Sequence, residues 1–145
     1  MVADVIAATP QILDRGARVL FLGNGSVNQA KRFYADKGLP RIGCEVLTDP
    51  DRASFDAAEM QRGYTKTFNP SSVKAFGAAR SQGHGVTGLF GDLTQLGGLL
   101  VTKPPVRFVF LHRSKFAGDH PDMKEVLATL GDPAPRAAPE SAPRK

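Results

Sequence analysis

The chain has 145 residues, 41% hydrophobic and 23% charged, with a formal charge of +5 and a pI near 9.7. These values describe one globular domain with a core and exclude a polar, highly charged chain that stays unfolded. Apolar runs such as Val19-Leu20-Phe21-Leu22 fall far short of the roughly 20 residues that cross a bilayer, and the positive residues are mixed with Asp and Glu rather than gathered in a stripe, so neither a membrane nor a nucleic acid is the expected partner.

In chain order, Val2, Val5, Ile6, Ile12 and Leu13 predict a helix over residues 2 to 14, interrupted by Pro10 and closed by Gly16. Val19 to Leu22 is a short buried strand between turn signals. Asn24-Gly25 is a turn, and Ser26 caps a helix that runs to about Lys37, where Gly38 and Pro40 stop it. Ala30, Phe33 and Tyr34 form its inner face. Cys44 to Thr48 reads as the next strand. Asp49-Pro50 sets a cap and a first helical position, with Phe55, Ala58 and Met60 turned inward. Asn69-Pro70 repeats the arrangement for a helix near residues 70 to 80, followed by a loop holding Gly83, His84, Gly85, Gly88 and Gly91. Leu99 to Lys103 and Arg107 to Arg113, joined through Pro104-Pro105, predict an antiparallel hairpin. The last helix spans about Pro121 to Leu130, with Asp119 or His120 near its cap and Met123, Val126, Leu127 and Leu130 on its packed face. From residue 132 the chain is rich in Pro and Ala and is expected to stay unfolded.

Chemistry-bearing residues are few. Cys44 is the sole cysteine, so no internal disulfide forms within these residues, and a lone thiol without a signal-peptide pattern predicts a reducing cytoplasm. Cys44 reads as a small buried residue opening a strand, in preference to a nucleophile: no helix start is predicted beside it, and the nearest cation in sequence is Arg41. Gly23-Asn24-Gly25-Ser26 stands between strand and helix, where a phosphate can rest. It lacks the third glycine of a dinucleotide fingerprint, and the plain reading is a turn with a cap. His112, Asp119 and His120 lie near one another in sequence, but Asp119 is equally a helix cap, and no metal is expected.

Four segments carry a family resemblance. Gly16-Ala17-Arg18-Val19-Leu20-Phe21-Leu22-Gly23-Asn24-Gly25-Ser26, Leu47-Thr48-Asp49-Pro50-Asp51-Arg52, Gly91-Asp92-Leu93-Thr94-Gln95-Leu96-Gly97-Gly98 and His112-Arg113-Ser114-Lys115-Phe116-Ala117-Gly118-Asp119-His120-Pro121 resemble, in order, parts of the peroxiredoxin-like AhpC/TSA antioxidant proteins. The likeness covers roughly residues 2 to 130. It implies an α/β fold, a thioredoxin-like mixed sheet with flanking helices, over residues 1 to 131.

The implied activity is thiol-dependent peroxide reduction, with electrons from a cellular thiol reductant and no bound cofactor. In that family the nucleophile occupies a Cys-x-x-Cys-like turn at a helix start, where the helix end lowers the thiol pKa. Residues 2 to 14 resemble the body of that helix, so the central strand and the Cys turn are expected upstream of Met1 and absent from this chain. The catalytic thiol is then unknown, and Arg113 is a possible auxiliary that stabilises thiolate and polarised peroxide in a complete protein. Without the central strand, the strands at Val19 and Leu99 lose a shared neighbour, which favours a homo-oligomer through unpaired edges. The alternatives are a non-catalytic interaction module that pairs through such edges, and a nucleotide-binding protein using the Gly23 turn.

Overall fold

The computed structural model describes residues 1–63, 91–92, 94–105 and 107–133. Helix α1 (Val2–Leu13) forms on the spacing of Val5, Ala8, Thr9 and Ile12, which turn one face into the core. Pro10 sits on the exposed side of that helix. The buried hydroxyl of Thr9 donates to the Val5 carbonyl at 2.9 Å, so the core face carries no unpaired hydroxyl. Past the helix, Gly16 takes φ of +72°, which few residues other than glycine adopt readily, and the chain turns into the first strand.

Strands β1 (Leu20–Gly23) and β2 (Glu45–Thr48) are parallel, with Leu20 opposite Glu45 and Leu22 opposite Leu47. Their crossover is helix α2 (Val27–Asp36). It begins with a reciprocal cap: Gln29 N–H donates to Ser26 Oγ, and Ser26 N–H donates to Gln29 Oε1 at 2.7 Å. A 3₁₀ turn at Leu39–Ile42 then drives Leu39 completely out of solvent. After the short helix α3 (Ala53–Ala57), strands β3 (Gly98–Lys103) and β4 (Arg107–Arg113) make the expected antiparallel hairpin, with a cis Pro104-Pro105 bond at its turn and a bulge at Val101/Thr102. Helix α4 (Met123–Leu130) closes the chain, Val126 buried and Met123, Leu127 and Leu130 packed against the core.

Two helix starts differ from the expected ones. α3 begins at Ala53 rather than Pro50 because Arg52 adopts a left-handed φ of +63°, which ends helical geometry before it. Asp49 still serves this helix from outside, accepting the Ser54 N–H at 2.7 Å. α4 is capped by Asp122, which accepts the Lys124 N–H at 2.8 Å, whereas Asp119 is used by the Lys115 N–H. The helix expected near residues 70 to 80, the loop through Gly83, His84, Gly85 and Gly88, and the tail from residue 134 lie outside the described residues.

Among the described residues the strands form two separate two-stranded sheets, β1–β2 and β3–β4. Both share one core: Val5, Ala8, Ile12, Val19, Leu39 and Cys44 form the buried cluster, and Phe21 of β1, Val46 of β2 and Leu99 of β3 pack on it. Phe21 also meets Phe33 of α2 edge-on, ring centroids 5.8 Å apart. The C-terminal end of β1 approaches the loop that enters β3, where Asn24 Nδ2 donates to the Asp92 carbonyl at 3.2 Å. β1 therefore runs toward the end of the molecule from which β3 departs. This is the thioredoxin-like α/β fold that the sequence implied, with β1 and β3 each keeping one side unpaired by a described strand.

Leu39 is the test of this core. Leu39→Ala is expected to cost about 3 kcal/mol, the usual range for a fully buried leucine, read as a lowered urea midpoint at constant m-value. A loss below ~1 kcal/mol would mean that the 3₁₀ turn does not pack as described.

Candidate functional site

Most of the described polar chemistry sits at one end of the sheets, where β1 finishes, β3 starts and β4 finishes. Asp92 is its centre. Its Oδ1 accepts both the backbone N–H of Thr94 at 2.9 Å and the Thr94 hydroxyl at 2.6 Å. Its Oδ2 accepts an Arg62 N–H at 2.6 Å and lies 3.7 Å from Arg52. The bonds from Thr94 hold the Asp92 carboxyl below the usual carboxylate range, with the Arg62 charge acting in the same direction. Gly91, at φ of +71°, lets this loop lie on Asn24, where a Cβ would strike the Asn24 backbone and side chain.

The segment after α3 is fastened across the same end. Gly63 N–H donates to the Thr94 carbonyl and Leu96 N–H to the Gln61 carbonyl, each at 3.0 Å. Met60 lies over Gly98, where a side chain would strike it. Arg113, at the end of β4, donates through Nε to the Ala58 carbonyl at 2.7 Å and through a terminal nitrogen to Glu59 at 2.9 Å. Glu59 reaches it from a left-handed φ of +53°. Two non-glycine residues of positive φ, Arg52 and Glu59, thus bracket α3, and both make ion pairs with the loop or hairpin opposite.

Cys44 lies at the other end. It precedes β2, whose start is level with the start of β1, and it is only 2% exposed. Its Sγ is 3.6 Å from the Thr9 hydroxyl within the cluster of Val5, Ala8, Ile12, Val19 and Leu39. The structure therefore does not bring Cys44 and Arg113 together. The Gly23 turn is filled by protein: Ser26 N–H is taken by Gln29, Gln29 N–H by Ser26, and Gly91 rests against Asn24. His112 and Asp119 approach at 3.7 Å, and His112 Nε2 is buried without a hydrogen-bond partner. His120 turns instead toward Asp4 of α1, 3.3 Å away, and burial pushes its pKa down. Among the described residues no three His, Cys, Asp or Glu side chains gather as metal ligands.

Sequence reasoning singled out Arg113 but not its partner Glu59, and it assigned no chemistry to Asp92, Arg52 or Arg62. The visible signal was the quoted Gly91-Asp92 pair, whose meaning depends on a loop contact with Asn24 that no local spacing reveals.

Over residues 5–115 the chain matches the family described as AhpC/TSA antioxidant enzyme. It is 27% identical over 135 residues to the thioredoxin-like protein AAED1, chloroplastic, of Arabidopsis thaliana, an alignment covering 86% of this chain and 53% of that protein. The chain thus spans about half the length of that curated relative. No solved structure matches it. Among the described residues no helix is long and apolar enough to cross a membrane. The chain belongs to the AhpC/TSA antioxidant family, a redox-related family of thioredoxin-like fold.

The Asp92 cluster has a pH signature. Its lowered pKa means that the contribution of Asp92 to stability is complete above the unfolded value of about 3.9 and is lost as pH falls through the lower folded value. Asp92→Asn is therefore expected to lower the melting temperature at neutral pH and to flatten its decline on acidification. Melting curves of the two proteins from neutral to strongly acidic pH check this, and parallel curves would remove Asp92 from the linkage.

Proposed function

We propose that these 145 residues are the scaffold portion of an AhpC/TSA redox protein and do not by themselves turn over peroxide. The burial of Cys44, the sole thiol of the chain, carries this reading. Peroxide reduction needs a thiolate that attacks one peroxide oxygen. The S–O bond forms as the O–O bond breaks, leaving a sulfenic acid and water or an alcohol once a proton is taken up. A second thiol then expels water and forms a disulfide, and a thiol reductant returns two electrons. Such a nucleophile wants access to solvent and a nearby positive charge or helix start. Cys44 is enclosed by apolar side chains and a threonine hydroxyl, an environment that supports a packing role.

Arg113 is the described residue best suited to the auxiliary part, as a cation at the hairpin end held by Ala58 and Glu59. In a longer protein it would favour thiolate and developing negative charge on the leaving oxygen. A single unpaired thiol supports a reducing compartment such as the cytoplasm. A second reading rests on the absence of a ladder between the two described sheets: a non-catalytic module whose β1 and β3 edges, unpaired by any described strand, pair with a second copy or a partner strand.

The reading is tested by peroxide consumption with a dithiol reductant. Turnover is expected at the rate of the reductant alone, unchanged by Cys44→Ser, and Cys44 is expected to react with a thiol reagent only upon unfolding. Robust turnover abolished by Cys44→Ser overturns it. Light scattering across a concentration series separates the second reading, which requires a dimer that grows in with concentration.

A further inference from the structure

The outer edge of the β1–β2 sheet carries a feature that the redox reading does not use. Glu45 N–H donates to the Val19 carbonyl at 2.9 Å and Asp49 N–H to the Gly23 carbonyl at 2.8 Å. Alternate residues of a strand turn their backbone groups to opposite sides. Val46 and Thr48 therefore aim their N–H and C=O groups away from β1, and no described strand lies beyond β2. Alongside runs a groove of about 520 Å³ between that edge and α2, lined by Val27, Ala30, Lys31 and Tyr34 on the helix side. Although α2 carries a full cap, none of its residues is buried. Val27 is 57% and Leu47 55% exposed.

The groove wall carries one acid and one base. Its sole acidic wall residue, Glu45, is already ion-paired with Arg18. Lys31, the one cation of the wall, has an exposed side chain on the same helix face as Val27 and Tyr34. A second copy of β2 is a poor occupant, because two-fold pairing sets the two α2 helices side by side and brings Lys31 toward its own image.

We propose that the β2 edge and the α2 groove bind an extended peptide segment of another protein. The segment adds as a strand, pairs with the backbone of Val46 and Thr48, sets apolar side chains against Val27, Ala30 and Tyr34, and places a carboxylate on Lys31. Backbone pairing supplies general affinity, and the carboxylate selects among strands. The site lies on the opposite side of β2 from β1 and is independent of any thiol chemistry.

The test uses the 145-residue chain and a capped octapeptide alternating valine and glutamate, with a valine–lysine octapeptide as control, followed by amide NMR. Addition of the acidic peptide is expected to shift the amides of Val46, Thr48 and Lys31 and to slow hydrogen exchange at Val46 and Thr48. Lys31→Glu, an exposed substitution that leaves the circular dichroism unchanged, is expected to weaken binding roughly fivefold, the size of one exposed ion pair. Absence of shifts at Val46 and Thr48, or equal binding of the lysine peptide, overturns the proposal. So does protection of those amides that rises with protein concentration alone, which would make the occupant a second copy.

Discussion

The two halves of the sheet layer are held together by one buried apolar cluster. β1 and β3 share no hydrogen-bonded ladder among the described residues, so their relative placement depends on what both touch. That is the buried cluster of Val5, Ala8, Ile12, Val19, Leu39 and Cys44, on which Phe21, Val46 and Leu99 all pack. Apolar burial is non-directional and scales with area, roughly 25 cal/mol per Å². It can hold two sheets on one core without fixing the distance between them as a ladder would. α4 adds to the same surface through Met123, Leu127 and Leu130, and it touches both α1 and the hairpin.

Directional bonds act instead at one end. Asn24, Arg52, Arg62, Thr94 and the backbone of residues 58 to 63 fasten the β1–β2 half to the loop and hairpin of the other half. The cost of this fastening is visible in the backbone: Arg52 and Glu59 take left-handed conformations that are unfavourable for residues with a Cβ, and ion pairs with Asp92 and Arg113 compensate. A dense hydrogen-bonded end and a looser apolar floor thus divide the work of positioning.

This division explains how much of the molecule could be read from the chain. Helical spacing exposed α1, and the Ser26 cap exposed the start of α2, because each is a local pattern. The hairpin was legible from two apolar runs around Pro104-Pro105. The starts of α3 and α4 were misplaced for a common reason. Asp49 and Asp119 both bond to backbone, as their residue type predicts, but they serve positions further along or another turn, and only tertiary geometry decides which. Asp92 was illegible as a hub because its partners come from three separated stretches of chain, at residues 24, 52 and 62, which the fold alone brings to one place.

The same geometry separates the thiol from the cations. A reactive cysteine needs its charged form stabilised, by a helix N-terminus, a neighbouring cation or both, and it needs to be reached. Cys44 stands just before β2 within the apolar cluster, with Thr9 as its polar neighbour. The guanidinium groups of Arg52, Arg62 and Arg113 stand at the opposite end, where β1 delivers its C-terminus and β4 its own. Exposing Cys44 would require opening the cluster on which both half-sheets pack. Under the proposed reading, a thiol that works with these arginines sits at the end of the sheets where Asp92 and Arg113 lie.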